Sequence, residues 1–358
     1  MTLTLGLLSP TKAISESVPP PRRPASLRSL ANAVRDRRPD DGLRDLAELH
    51  RVDGLMLGTG GGDGRLRALA IAAELVRSAR ALQAAGVAAL AFKGAALAVQ
   101  AYGDPLARRS DDVDLLVAPA SRVAAVAALV GAGYTVVDGD VNGGGDIQLQ
   151  AATGTYLDLH SALGSPVSRC DLDFDGLWAR REEVRVERET IATLGRGDTV
   201  TLLAAEATKH GWIRLEWVAA IDALARSGGI DWSATVMRAT DAGARRKLLV
   251  ALAVAEKLLD TPLAEALTTA IAADRRVTSA AVAAVDLLES APDRHSSTFA
   301  RAHRRLLLES SDSPGDRVRV LLRPTDVDRA AVRLPGWLGF GYYVVRPLRL
   351  AASSLRAR

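Results

Sequence analysis

Two aspartates open a stretch of the chain that otherwise predicts a buried β-strand. Asp112 and Asp114 alternate with Val113 and Leu115 in the sequence DVDLLV. Because successive strand residues point to opposite faces, both carboxylates project to one side, about 7 Å apart along the backbone. Neighbouring carboxylates repel each other, so removing either charge is expected to leave the thermal stability unchanged or raised. Magnesium ions would relieve this repulsion, and two such ions can clamp a phosphoryl group during an in-line displacement.

A single Asp-x-Asp pattern is more often a solvated turn or strand edge, so the metal interpretation needs a further carboxylate. A second alternating strand, TYLDLH, provides Asp158. If Leu157 and Leu159 face the core, Asp158 and His160 face the cleft. Pairing this strand beside the acidic strand, about 4.8 Å away, would bring the three carboxylates onto one surface. His160 would then orient Asp158 or contact substrate, and a purely structural histidine is the alternative.

The segment AFKGAAL predicts a strand, a turn at Lys93 and Gly94, and the start of a helix. Backbone N–H groups at such a turn can approach a phosphate closely. Ala95 follows the glycine, so backbone amides and nearby cations, rather than a hydroxyl, would hold the phosphate. Arg108 lies just before the acidic pair, where a cation could meet a triphosphate. For Lys93 the alternative is a lysine that extends from the edge of the core to solvent.

The surrounding elements predict a small α/β core flanked by helices on both sides in sequence. Residues 1–40 are rich in Pro, Ser and Arg and predict a disordered or loosely attached leader. Residues 42–57 and 65–85 have helical spacing, and the GTGGGDG segment between them follows no strand and lacks the Lys-Ser/Thr ending of a phosphate loop. It is interpreted as a connector. The acidic strand spans 112–118, and a helix follows at about 120–132.

Three further strands are predicted near GYTVV, GGGDIQLQ and TYLDLHSAL. From about residue 170 the pattern becomes helical almost throughout, and it ends in the aromatic tail LPGWLGFGYYVVRPLRL. The chain is therefore divided into the leader 1–40, the helices and α/β core 42–165, and a mainly helical domain 170–358.

Composition narrows the function classes. Of 358 residues, 48% are hydrophobic and 25% charged, as in soluble globular proteins. The single cysteine, Cys170, excludes an internal disulfide framework and favours a reducing, cytoplasmic compartment. The net charge of +4 is spread along the chain without interleaved basic and aromatic patches, so nucleic acid is not expected as a partner. A membrane is not expected either, since no segment reaches about 18 apolar residues and the aromatic tail is interpreted as a docked segment.

The string FKGAAL…R…DDVDLLV…LDLH resembles the bacterial uncharacterised nucleotidyltransferase family of the polymerase-beta-type superfamily. The resemblance continues through ATKHGWIRLEWVAAIDAL and the aromatic tail, over roughly residues 42–352. It implies an α+β fold with a small mixed β-sheet core, N-terminal helices and a larger C-terminal helical domain. It also implies that Asp112 and Asp114 are the metal-binding pair and that Asp158 is the third acid.

The same resemblance matches Gly94 to the turn glycine, with Lys93 beside it, and Arg108 to the arginine before the acidic pair. Better-known superfamily members carry Gly-Gly or Gly-Ser at the turn, and here Ala95 takes the second position. Lys209 and His210 belong to the family's helical segment. They either face the substrate cleft or serve in helix packing.

The implied function is a Mg²⁺-dependent nucleotidyltransferase, with two ions and with ATP as the favoured NTP. It would move a nucleoside monophosphate to an acceptor hydroxyl of a small molecule, sugar, peptide or protein and release pyrophosphate. The alternative is a catalytically degenerate module that binds a nucleotide or a partner. The sequence identifies neither the acceptor nor the oligomeric state.

Overall fold

The computed structural model describes residues 27–38, 40–56, 62–143, 145–165, 167–290, 293, 296–324, 329 and 331–355. The predicted leader therefore lies outside the described residues up to residue 26. The connector GTGGGDG is described only from its fifth residue, Gly62, which begins a helix.

The described strands form one seven-stranded mixed sheet with the order β3-β4-β5-β2-β1-β7-β6. Their bounds are β1 Ala89–Ala91, β2 Asp112–Val117, β3 Thr135–Asp138, β4 Ile147–Gln150, β5 Tyr156–His160, β6 Glu182–Val186 and β7 Glu189–Thr193. The pairs β2–β5 and β1–β7 are parallel, and the other neighbouring pairs are antiparallel. The sheet with helices before and after it in sequence confirms the predicted α+β class.

Helices account for most of the rest of the described chain. They are α1 Leu27–Asp36, α2 Arg44–Leu49, α3 Asp53–Met56, α4 Gly62–Ala84, α5 Gly94–Tyr102, α6 Arg122–Gly131, α7 Phe174–Ala179, α8 Arg196–Lys209, α9 Glu216–Arg226, α10 Trp232–Asp241, α11 Arg245–Leu259, α12 Glu265–Ala273, α13 Arg275–Ser290, α14 Ser297–Glu309, α15 Pro314–Leu322 and α16 Tyr342–Leu355. No helix in the described part of the chain combines the length and apolarity needed to cross a membrane.

The two faces of the sheet are covered differently. One face packs against α4 and α6 in a cluster that includes Val113 and Leu115 of β2. The opposite face carries Leu116 in a smaller cluster with Leu202 of α8. A third, larger cluster joins helices from both ends of the described chain, from α1 to α14. Helices α7 and α8, which contribute Leu177 and Leu202 to this smaller cluster, therefore lie over the same face as the aspartates.

The structure differs from the predicted leader over α1. Leu27, Leu30, Ala31 and Val34 are buried in the large helical cluster. Their i, i+3, i+4, i+7 spacing is that of an amphipathic helix, which the neighbouring Pro-rich and Arg-rich segment obscures. Residues 27–36 are thus part of the packed structure.

The strands β6 and β7 are a second difference, since the sequence after residue 170 reads as helical. They form an antiparallel hairpin that extends the sheet beyond β1. Val184 and Val186 are buried between charged neighbours, which is a period-two pattern. The turn lacks Gly and Asn, and Glu187 takes the left-handed conformation with φ 55°. The usual sequence signal of a hairpin is therefore missing.

Candidate active site

Asp112, Asp114 and Asp158 lie on one face of the sheet, which we call the acidic face. The parallel register of β2 and β5 brings them together. Asp114 lies directly opposite Asp158, and Asp112 lies opposite Tyr156. The alternate leucines of β5, Leu157 and Leu159, are buried on the other face. The predicted side-by-side pairing of the two strands is confirmed, and it turns the aspartates to one face because parallel neighbours in register share a face.

Asp114, Asp158 and His160 form a set of metal-type donors. One donor atom from each lies within 4.8 Å of the others. Gln148 of β4 donates a hydrogen bond to Asp158 Oδ1 at 3.0 Å, which fixes that carboxylate. Among the described residues Asp112 is not a member of this set. Two carboxylates and an imidazole at this spacing fit a divalent cation.

Asp114 is 6% exposed and is charge-compensated by two cations. Lys93 Nζ lies 3.3 Å and His160 Nε2 lies 3.1 Å from the same oxygen, Oδ1. Burial alone would raise the pKa of Asp114, but Lys93 and His160 outweigh it and lower the pKa below its ordinary value. Burial alone would also lower the pKa of His160, yet its bonds to Asp114 and Asp146 raise it to about 9.

Asp112 behaves in the opposite way. Burial, followed by repulsion from Asp114 and Asp158, raises the pKa of Asp112 to about 6. Lys93 only partly offsets this repulsion. Burial and repulsion by its two acidic neighbours together therefore disfavour the charged form of Asp112.

The turn between β1 and α5 places Lys93 and Gly94 at this face. Gly94 opens α5 with φ +54°, a conformation that side chains rarely adopt, and a Cβ there would lie 3.1 Å from Ser110 Oγ. The predicted strand, turn and helix are all present. Ala95 is the second residue of α5, and its side chain is buried in the core. The positive end of α5 and the Lys93 ammonium thus lie beside the carboxylates.

Glu206 is a buried member of the site that the sequence analysis did not identify. It lies on α8, with Oε2 3.4 Å from Lys93 Nζ and 3.7 Å from His210 Nε2, and with Oε1 3.3 Å from Lys209 Nζ. Burial would raise its pKa, but His210, Lys93 and Lys209 lower it well below its usual range. In the sequence, the only indication of this role was that Lys209 and His210 follow Glu206 at the helical spacings i, i+3 and i, i+4. This spacing does not reveal the long-range contact with Lys93.

Asp146 is a second residue that the sequence analysis missed. Its Oδ1 lies 2.8 Å from His160 Nδ1, on the side of the ring opposite to Asp114. The antiparallel register pairs Ile147 with Leu159 and Gln148 with Asp158, so Asp146 comes level with His160. The polar alternation of Asp146 and Gln148 around a buried Ile147 was the available signal.

A comparison with models of known families decides where this chain belongs. The model of a family described as "Uncharacterised nucleotidyltransferase" matches residues 63–260, which is more than half of the chain. The chain belongs to this family. The matched range runs from the start of α4 to the end of α11 and includes the acidic strands, the Lys-Gly turn and Glu206.

A solved structure shows a weak similarity to this member of the nucleotidyltransferase family. It is the crystal structure of an antigenic nucleotidyltransferase-like protein from Paracoccidioides brasiliensis, with 13% sequence identity and a TM-score of 0.35. The match covers 56% of this chain and 95% of that chain. A comparison with curated proteins returned no match. Family membership therefore rests on the family model, and it supports transferase activity in the broad sense.

Arg108, the predicted triphosphate contact of this nucleotidyltransferase, is engaged with a buried acid. Its Nη2 lies 3.0 Å from Glu216 Oε2 at the start of α9, and its side chain is 11% exposed. Arg108 Nε is buried and has no hydrogen-bond partner among the described residues. Arg108 thus links the segment before β2 to the helical part of the protein.

Lys209 and His210, at the end of α8, are half-exposed and lie around Glu206. The His210 ring is stacked on Trp217 with the ring centroids 5.8 Å apart. The two side chains of this family member therefore pack within the helical segment, around the carboxylate that pairs with Lys93, and their place in a substrate cleft stays a prediction.

Proposed function

We propose that this chain is a divalent-metal-dependent nucleotidyltransferase that moves a nucleoside monophosphate from an NTP to an acceptor hydroxyl. The acceptor oxygen would form a bond to the α-phosphorus, the bond to the β-phosphate oxygen would break, pyrophosphate would leave, and the hydroxyl proton would pass to solvent. The observation that carries the proposal is the register of Asp114 opposite Asp158, beside the positively charged Lys93–Gly94 turn.

Asp112, Asp114 and Asp158 are proposed to hold the metal, with Mg²⁺ as the expected ion and two ions as the expected number. The metal would neutralise phosphate charge during transfer. The raised pKa of Asp112 supports this assignment, because repulsion from Asp114 and Asp158 adds to the effect of burial. A cation at this face would relieve the repulsion that the three carboxylates exert on one another.

Lys93, Gly94 and Ala95 are proposed to bind the triphosphate. The backbone amides at the start of α5 would donate to phosphate oxygens, and Gly94 would leave room for their approach. Lys93 is held between Asp114 and Glu206, so it would exchange part of this contact for a phosphate. Arg108 could contribute only after leaving Glu216, and its proposed role is therefore the least direct of the four.

His160, Lys209 and His210 are proposed to line the substrate cleft. They meet the acidic face through two different carboxylates, Asp114 and Glu206. ATP as the favoured nucleotide and a cytoplasmic location belong to the same proposal. The cytoplasmic location is supported by the presence of only one cysteine, Cys170.

The competing function is a degenerate module that binds nucleotide without turnover. The three acids are intact, and Gln148 and His160 hold two of them in place, which favours the enzyme. A positional-label experiment separates the two functions. The full chain would be incubated with Mg²⁺, a mixed pool of acceptors, and ATP labelled at either the α or the γ phosphate.

The proposal expects α-label to enter an acceptor and γ-label to appear in pyrophosphate. Asp111→Asn is the matched control, since Asp111 neighbours the acidic pair but forms half-exposed ion pairs with Arg51 and Arg67. It should keep the transfer, and Asp114→Asn should lose it. Binding without release of either label would establish the module, and γ-label in a phosphorylated acceptor would establish a kinase-type reaction instead.

A further inference from the structure

The two ring nitrogens of His160 face two different carboxylates. Nδ1 lies 2.8 Å from Asp146 Oδ1, and Nε2 lies 3.1 Å from Asp114 Oδ1. The ring also packs edge-on against Phe92, with the centroids 5.0 Å apart. Its position is thus fixed from three sides, and Nε2 is directed at the proposed metal-binding face.

We propose that His160 Nε2 is itself a metal ligand, together with Asp114 and Asp158, and that Asp146 is the positioning residue that holds it. It follows that the site prefers an ion that accepts nitrogen ligands, such as Mn²⁺, to Mg²⁺. The inference rests on the proposed function because it concerns the same site, but it departs from a magnesium site built from aspartates alone.

The donor-atom separation supports this assignment. Adjacent ligands of an octahedral ion with bonds of about 2.1 Å lie about 3.0 Å apart. Asp114 Oδ1 and His160 Nε2 are separated by 3.1 Å, and a donor atom of Asp158 lies within 4.8 Å of both residues' donor atoms. The pair already has the spacing of neighbouring ligands.

Asp146 supplies the contact that metal-binding histidines usually have. Such a histidine donates its other ring N–H to a carboxylate or carbonyl, which sets the tautomer and the ring orientation. If a metal ion displaces the Nε2 proton, the Nδ1 proton stays donated to Asp146, and the Nε2 lone pair becomes available to the ion beside Asp114. The Asp146 side chain is 61% exposed, so this contact is not explained by the packing of the core.

The choice of ion follows from the ligand type. Imidazole is a poor ligand for Mg²⁺, which prefers carboxylates, phosphates and water, and it suits transition metals. Mn²⁺ accepts both imidazole and the oxygen ligands that Asp114 and Asp158 offer. A site that combines these donors should therefore discriminate between the two ions through His160.

Pulsed electron paramagnetic resonance of the full chain, loaded with Mn²⁺ alone and without nucleotide, tests the assignment. The wild type should show nitrogen modulation from a coordinated imidazole. The same measurement on protein labelled with ¹⁵N-histidine should replace the ¹⁴N modulation by that of ¹⁵N, and it needs no variant that could fail to fold. His160→Gln should abolish the modulation, whereas His303→Gln, a histidine paired with the Thr208 carbonyl, should keep it.

Calorimetric titration of metal gives the second readout. Asp146→Asn should weaken Mn²⁺ binding by about tenfold to a hundredfold and change Mg²⁺ binding much less. Three outcomes would overturn the inference. They are the absence of nitrogen modulation in the wild type, modulation that does not change with ¹⁵N-histidine, and equal Mn²⁺ affinity in wild type and Asp146→Asn. If nitrogen ligation fails while Asp114-dependent transfer persists, the proposed function stands; if nitrogen ligation is found without transfer, the metal site stands and the transferase proposal fails.

Discussion

Two buried aspartates of this protein, Asp114 and Asp198, are each held by two cations, and they differ in how the contacts are distributed. Asp198 is 2% exposed, with Arg180 Nε 3.0 Å from Oδ2 and Arg238 Nε 3.1 Å from Oδ1. Both of its oxygens are used. At Asp114 the contacts from Lys93 and His160 fall on the single oxygen Oδ1, within the described part of the chain.

The identity of the cations differs as well. Arginine keeps its charge and binds carboxylates with a fixed fork, so the Asp198 cluster is suited to joining α7, α8 and α10 permanently. Lysine and histidine are point donors that can exchange a carboxylate for another ligand. Two further carboxylates, Asp112 and Asp158, lie on the same face as Asp114, so three carboxylates share the two cations Lys93 and His160. The Asp198 cluster, in which both carboxylate oxygens are paired with arginines, is structural. The Asp114 cluster, in which the carboxylates outnumber the cations, is available for chemistry.

The largest expected difference between the two clusters is in turnover. Asp114→Asn should lower nucleotidyl transfer at least about a thousandfold, because it removes a carboxylate of the proposed metal site. Asp198→Asn should cost about 3 kcal/mol of unfolding free energy, since it leaves two arginines without their acid, but the folded fraction should keep its transfer rate. Initial rates normalised to the folded fraction measure both effects. An equal loss of transfer rate in the two variants would contradict the distinction between a catalytic and a structural aspartate.

A smaller effect should appear when one cation is removed from each cluster. Lys93→Met should lower the unfolding free energy of the metal-free protein by about 2–3 kcal/mol, because Asp114 and Glu206 lose a partner. Added Mg²⁺ or Mn²⁺ should restore more stability to this variant than to the wild type, since Lys93 no longer competes for Asp114. Arg180→Met, the matched change beside Asp198, should be destabilised without metal-dependent recovery. Thermal unfolding with and without metal compares them, and equal metal responses would contradict the assignment.

The smallest effect concerns pH and separates Asp112 from Asp114. The carboxyl of Asp112 titrates near 3.8 when unfolded and at about 6 in the folded protein, so the folded state binds more protons between these values. Stability of the metal-free wild type should therefore fall by about 1–2 kcal/mol as the pH rises from 4 to 6 through this group alone. Asp112→Asn should be about as stable as wild type at pH 4 and more stable at pH 7, measured by denaturant unfolding. Saturating metal should remove the difference, and a difference independent of pH would contradict the account.

The opposite pKa shifts of Asp112 and Asp114 revise the expectation that either aspartate could be neutralised without loss of stability. For Asp112 the expectation stays a prediction, and it agrees with the raised pKa of this carboxyl. Asp114 has a lowered pKa, because Lys93 and His160 stabilise its charged form, so Asp114→Asn should destabilise the metal-free protein. The sequence could not separate the two, since their residue type and face are the same and only the long-range cations differ.

The parts of the site that depend on local periodicity were predictable from sequence. Alternation placed Asp114 and Asp158 on strand faces, and the Lys93–Gly94 turn follows from a glycine between a strand and a helix. The contacts that cross the fold were not predictable. Glu206 reaches Lys93 from α8, more than a hundred residues later in the chain, and Arg108 meets Glu216 rather than a site residue.

Helix α1 and the β6–β7 hairpin were missed for a related reason. Helix α1 gains its stability by packing into a core shared with later helices. The Pro-rich and Arg-rich sequence around it gives no indication of that core. The hairpin has a turn without the expected residues and is stabilised by pairing with β1. Tertiary partners decided both elements, whereas local pattern decided β2 and β5.

The central claim is that the acidic face and the Lys93–Gly94 turn form one metal-dependent nucleotide site. Calorimetric titration with α,β-methylene-ATP, which resists transfer, tests it most directly, with and without Mg²⁺ or Mn²⁺. The account predicts binding by wild type and Asp111→Asn that requires the divalent cation, and at least tenfold weaker binding by Asp114→Asn and Asp158→Asn. Binding of equal strength without the cation, or equal affinity in all four proteins, would contradict it.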